Sequence, residues 1–261
     1  MSGLVATTLG ELIDSGKLPS GNSFALKPDT VENALLVGEA QDDRPWREKL
    51  LQAQACVATI AGKPVDEQGG VSFLSSLPDA DIVCITMAWT AEANGRVMAL
   101  AQGVPCPECT HPFHEIPLGP IKLFAREQPL SGPDSIFPLD LSGLSDRHQK
   151  MMPAGLQGAS FYVRAPTWKA ARAHVSKRTM AKPDMVNAYR AMAALMHKSE
   201  GGSQPTPTPH ALAKKLPSVV IRTVIKVMDE HVPYMAREIA ITCKKCGTEL
   251  DVPFDQADDS I

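Results

Sequence analysis

The feature that most limits what this chain can fold into is a matched pair of short stretches far apart in sequence, Cys106-Pro107-Glu108-Cys109 and Cys243-Lys244-Lys245-Cys246. Each sets two thiols at C-x-x-C spacing between apolar, strand-like runs, which is how the knuckle of a zinc ribbon presents two thiolates to one metal. Neither pair alone satisfies a tetrahedral ion. Together Cys106, Cys109, Cys243 and Cys246 form one complete set of ligands that leaves no position for water or substrate, so the expected cofactor is one structural zinc per chain. The fold must therefore bring together two hairpin tips separated by 137 residues.

Two rival uses of the cysteines fit less well. His111 and His114 follow the first pair, but one residue between Cys109 and His111 is too short for finger spacing, and a strand turns successive side chains to opposite faces. A redox C-x-x-C sits at a helix N-terminus after a strand, whereas both pairs here lie between strands.

The 137-residue offset recurs along the chain. It carries Ser23–Lys27 onto Ser160–Arg164, Thr30 onto Thr167, Trp46–Ile60 onto Pro183–His197 and residues 82–89 onto 219–226. After the knuckles, Phe113–Leu118 matches Leu250–Phe254 with one extra residue in the first copy. A constant offset through a strand, two helices and a metal knuckle implies an α+β fold built by tandem duplication of a strand-helix-helix-knuckle unit. Packed as a pseudo-twofold pair, the two copies would meet with both knuckles on the axis and share one zinc. The expected organisation is a first repeat at 1–126, a connector at 127–158 rich in Pro, Gly, Ser and Leu, a second repeat at 159–254 and an acidic tail at 255–261.

Periodicity predicts helices over 4–15 (ended by Gly16), 29–39, 45–61 and from Pro78-Asp79 to Ala93, with strands at 22–27, 96–104 and 113–118. Met185, Tyr189, Met192 and Met196 form a helical stripe in the second copy, and Met180 extends a Met-rich segment read as core packing. Trp46, Trp89, Trp168, Cys56 and Cys84 are expected in the core, and Ser199–Pro209 as an exposed, polyproline-like loop.

The net charge of −3 hides opposite halves: residues 1–137 hold nine Lys plus Arg against 17 Asp plus Glu, and residues 138–261 hold 17 against 12. That difference suits docking of one half on the other, or on a neighbouring subunit. It gives little support to a nucleic-acid surface, since the knuckle strands carry Glu108, Glu115, Glu249 and Asp251. No apolar run reaches the 18 to 20 residues of a membrane helix, and Met1–Gly10 lacks a signal-peptide pattern, so a cytoplasmic protein is expected.

Catalytic residues are not apparent. The chain has no Gly-rich phosphate loop, H-E-x-x-H or G-x-S-x-G. Glu92, Asp229 and Glu230 stand near helix ends, and His174, His197, His210 and His231 show no partner spacing. A non-enzymatic protein is expected.

The run Leu18-Pro-Ser-Gly-Asn-Ser-Phe-Ala-Leu-Lys-Pro28, a helix, a second helix at Asp79-Ala-Asp-Ile82, then Val104-Pro-Cys-Pro-Glu-Cys109 and Phe113–Leu118 resembles a known family. These are the zinc-knuckle proteins encoded with contractile phage tails and phage-derived contractile injection systems, related to T-even-type baseplate hub assembly chaperones. The resemblance covers residues 18–118 and, more weakly, 159–254. It implies a protein that binds tail or baseplate subunits, as an assembly chaperone or as a part of the particle. The alternative from another class is a zinc-ribbon nucleic-acid-binding protein.

Overall fold

The computed structural model describes residues 3–40, 42, 44–130, 135–175, 182–236 and 238–253. Helices and mostly short strands alternate through it, a mixed α+β arrangement. The acidic tail at 255–261 and Met180 lie outside the described residues.

The first half opens on strand β1 (Val5–Thr8) and helix α1 (Leu9–Ser15). The helix predicted over 4–15 starts only at Leu9. Thr8 stays extended and closes a capping box with Glu11, and Val5–Thr8 pair with β7 (Lys122–Ala125), a partner invisible to local periodicity. Gly16, left-handed at φ 61°, ends the helix as expected. Then come β2 (Phe24–Leu26), α2 (Val31–Glu39) capped by the Thr30 hydroxyl, and α3 (Pro45–Cys56) with proline in its first turn. Next are β3 (Val57–Ile60), β4 (Lys63–Pro64), α4 (Val71–Leu74), α5 (Asp79–Ala93), β5 (Val97–Pro105) and β6 (Pro112–Pro117).

The helix predicted over 45–61 stops at Cys56, and its last apolar residues form β3. Val57 and Ile60, three apart, fit a helical face; a bulge gives the same burial in a strand. Ala25 pairs with Thr59 but Leu26 pairs with Val57, so Ala58 is the extra residue and both Val57 and Ile60 turn inward.

The second half comprises β8 (Ile136–Leu139), α6 (Asp146–Lys150), β9 (Ser160–Arg164), α7 (Trp168–Arg172) and α8 (Pro183–Ala194). After them come β10 (Leu195–Lys198), β11 (Thr206–Pro207), α9 (His210–Ala213), α10 (Ser218–His231), β12 (Tyr234–Met235), β13 (Glu238–Thr242) and β14 (Glu249–Pro253). The Met stripe is split: Met192 is buried on α8 and Met196 on β10, while Met185 is 41% exposed. Of the tryptophans, Trp89 and Trp168 are buried and Trp46 is half-buried. Within 127–158, β8 hydrogen-bonds to β9 as a sheet strand. The Pro/Thr loop is partly tied down, because Thr206–Pro207 pair with β10 and Thr208 is buried.

Backbone pairings in the two halves correspond by number. Phe24 faces Ile60 and Ala25 faces Thr59; 137 residues on, Phe161 faces His197 and Tyr162 faces Met196. At the knuckles Val104 faces Phe113 and Pro105 faces Pro112, and likewise Ile241 faces Leu250 and Thr242 faces Glu249. Thr30 and Thr167 each cap a helix, and Gly21 and Gly158 both have positive φ. A Cβ on Gly21 would stand 2.7 Å from the carbonyl carbon of Gln128, so the close approach of the chain there requires glycine. The offset is not constant, however. The two-residue turn at Ala61-Gly62 becomes an eight-residue loop between His197 and Thr206, and the helix-capping prolines Pro78 and Pro217 stand 139 apart.

Apolar side chains gather in two clusters. The second is drawn wholly from residues 139–232; the first combines α1, α3, α5 and their strands with Trp168, Met235, Ile239 and Ile241 from the other half. The halves are knitted directly. β12 adds to β7, Trp168 N–H donates to Leu77 O (2.8 Å), Lys169 N–H to Ser75 O (3.1 Å), and the Trp168 indole to Trp46 O (2.7 Å). Arg190 reaches Asp79 at the start of α5, with Nε 2.6 Å from Oδ2 and Nη2 donating to Oδ1 at 3.2 Å.

Asp81, one turn into α5, is fully buried; its Oδ1 accepts the Ser20 N–H at 2.9 Å, and Oδ2 has no partner among the described residues. Burial pushes its carboxyl up to about 7, against the hydrogen bonds from Ser20 and with some help from the Asp79 charge. The folded chain therefore holds this proton more tightly than the unfolded one. Its contribution to stability is full below about pH 4 and is lost as pH rises to about 7. Asp81→Asn should remove that slope: the variant gains on the native chain between pH 4 and 7, by up to about 4 kcal/mol, and the gap stays level above. Melting temperatures across this range test it; equal gaps at pH 4 and pH 8 would refute it.

Candidate metal centre

Both tips are built alike. In the first, the Cys106 N–H donates to His111 O (2.9 Å) and the Thr110 N–H to Cys106 O (2.9 Å); in the second, Cys243 N–H donates to Thr248 O (2.9 Å) and Gly247 N–H to Cys243 O (2.8 Å). These bonds fold each C-x-x-C into a tight loop with both sulfurs on one side. The turn needs a left-handed residue after the second cysteine. Gly247 supplies it at φ 76°, but Thr110 adopts φ 58°, where a β-branched side chain is strained. Thr110→Gly is expected to stabilise the chain by about 0.5–1 kcal/mol, read as a higher denaturation midpoint; destabilisation would show that the Thr110 hydroxyl bond to Cys109 O (2.7 Å) outweighs the strain.

The structure brings the four cysteines together. Cys106 Sγ lies 3.6 Å from Cys246 Sγ, and Cys109 Sγ 3.6 Å from Cys243 Sγ. All four sulfurs lie within 4.8 Å of one another. At 3.6 Å they are not disulfide-bonded, since that bond is about 2.05 Å long. Zinc–sulfur distances of about 2.3 Å put the edges of a tetrahedral four-thiolate site near 3.8 Å, so the donor set and its spacing fit a metal ion of this size. Cys106 and Cys243 are buried, Cys109 is half-buried and Cys246 is exposed. The strands that carry the tips are anchored in the first core through Ile116, Ile239 and Ile241, with Phe113 and Leu250 packed against that core.

The thiols are electrostatically unequal. The His111 amide favours the Cys109 thiolate, but burial and the facing thiols of Cys246, Cys243 and Cys106 outweigh it and push Cys109 up to about 12. The hydroxyl and amide of Thr248 bring Cys246 down to about 6, with Thr248 Oγ1 3.2 Å from its sulfur. A metal must displace the remaining protons, so affinity weakens as pH is lowered. By contrast, burial raises Cys56 to about 12 and Cys84 further, as expected of inert core thiols.

The other residues singled out in the sequence do not converge here. His111 serves through its backbone and its ring packs edge-on to Phe113, and His114 is exposed on β6. Glu92 pairs with Arg96 on the surface, and Glu230 stands 4.0 Å from His231. His174 and His210 stack at 3.7 Å, a contact with no signal in their spacing. Sequence reasoning missed the amides of His111 and Thr248, because a backbone donor has no residue signature, and the Asp79–Arg190 pair, whose partners lie 111 residues apart. Comparison with protein-family models, with curated proteins and with solved structures returns no match. Among the described residues no helix is long and apolar enough to cross a membrane.

Proposed function

We propose that this chain is a tandem duplication whose halves are clasped by one structural zinc, and that it works without catalysis as a binding protein for subunits of a contractile tail or injection-system baseplate. The observation that carries the clasp is the meeting of four thiols, two from each half, all within 4.8 Å of one another, a donor set that completes a tetrahedral ion. Duplication is supported by the shared registers at both ends of the unit, Phe24–Ile60 with Phe161–His197 and Val104–Phe113 with Ile241–Leu250. Two knuckles that each supply half a ligand set are what a fused pair with a pseudo-twofold axis requires. The class of partner rests on the resemblance of residues 18–118 to baseplate assembly proteins, and on the same ground the proposed location is the cytoplasm of the producing bacterial cell or the particle.

Affinity capture from cells expressing the neighbouring operon should recover tail or baseplate proteins with the tagged chain, which should carry one zinc by elemental analysis. Recovery of nucleic acid with no tail protein would overturn this reading in favour of a zinc-ribbon nucleic-acid binder.

A further inference from the structure

Helices α2 and α7 hold the same place in the two halves, but among the described residues α7 is the covered one. Trp168, Ala171 and Arg172 are 4%, 2% and 6% exposed, and α7 reaches the other half, its N-terminus on the Ser75–Pro78 ledge and its Trp168 indole at the start of α3. The positions 137 residues earlier are Val31, Ala34 and Leu35. All three are exposed, Val31 at 79% and Leu35 at 58%. With Gly38, whose Cα faces open space, they make an apolar stripe at i, i+3, i+4 and i+7. The opposite face of α2, through Asn33, Val37 and Ala40, is the one that packs on the protein.

The surface that would answer α2 is the second half's counterpart of the α7 seat. It consists of the start of α8, where Met185 is 41% exposed, and the ledge Lys214–Pro217. Tyr189, one turn beyond Met185, lies beneath Lys214, whose Nζ is 5.9 Å from the ring centroid, so the two parts adjoin. Charge matches as well. α7 brings Lys169 and Arg172 to a half rich in carboxylates, whereas α2 is flanked by Asp29, Glu32 and Glu39, and the Lys214–Pro217 ledge presents exposed Lys214 and Lys215.

We propose that the chain forms a homodimer in which α2 of each copy docks on the Met185–Tyr189–Lys214–Lys215 surface of the other, as α7 docks on the first half within a chain. A twofold axis makes the contact twice and closes the assembly. The inference rests on the correspondence of the two halves proposed above.

The metal-loaded full chain should sediment at about 56 kDa, twice its 28.0 kDa mass. Leu35→Glu, on an exposed helical position, should weaken the dimer about tenfold or more while leaving metal content and circular dichroism unchanged. Lys214→Glu/Lys215→Glu should also dissociate it, and Glu32→Lys combined with that double variant should restore it in part. A photo-crosslinking residue at Val31, in a mixture of isotope-labelled and unlabelled chains, should link to residues 185–218 of the other copy. A monomer at high micromolar concentration, or a crosslink from α2 to α2, overturns the proposal. A monomer that still carries one zinc leaves the clasp standing, so the two readings fail separately.

Discussion

Chelation of the metal, or Cys243→Ser, should lower the melting temperature by on the order of 10 °C or more. Structural zinc in small peptides is worth on the order of 10 kcal/mol, and for a chain of this size each kcal/mol moves the melting point by roughly 2–4 °C. The loss should be localised first at the two hairpins. β5–β6 and β13–β14 are isolated two-stranded ribbons, which are marginal in water without something to hold them. Limited proteolysis should then cut sooner at the hairpins and near residues 127–158, between the halves. The four cysteines should behave as one unit: each Cys→Ser variant loses most of the metal, while Cys56→Ala, buried elsewhere, keeps it. One variant that stays fully loaded, or a native chain with two zincs, would sink the shared site.

Arg190→Ala should destabilise the chain by about 3–5 kcal/mol. Its guanidinium and the Asp79 carboxylate are nearly shielded from water, with side chains 19% and 8% exposed, so removing the cation strands a buried anion. Arg190 also donates to Pro233 O, which would lose its partner. Asp79→Ala should lose a similar amount, and the double variant Asp79→Leu/Arg190→Met much less than the sum of the single losses, because no charge is then left unpaired. Chemical denaturation of the three variants measures this. Strict additivity would mean that the pair does not act as a pair.

The four-cysteine cluster was legible because its signal is chemical: only cysteine supplies a thiolate ligand, and two C-x-x-C pairs complete one another. The α5 helix was legible for another reason. Between Pro78 and Asn94-Gly95 it has a clear start and stop, and its ends need no distant partner. The strands after α3 and α8 were not. Val57 and Ile60 fit a helix as well as they fit a bulged strand, and what decides is Phe24–Leu26 lying alongside, more than 30 residues away in sequence. The same holds for Val5–Thr8, which are a strand only because Lys122–Ala125 come back to meet them. Local pattern sets what a segment can be; a distant edge selects between near-equal choices.

The traffic of apolar side chains between the halves runs one way. The first core takes in Trp168, Met235, Ile239 and Ile241, whereas among the described residues the second takes in none from the first. During synthesis, the half made first therefore cannot finish folding until the half made second has emerged. Domains made early usually fold early; here the first core is complete only once the second half joins it. The newborn N-terminal half waits with the place of Trp168 unfilled, and this interval is when a chaperone has most to protect.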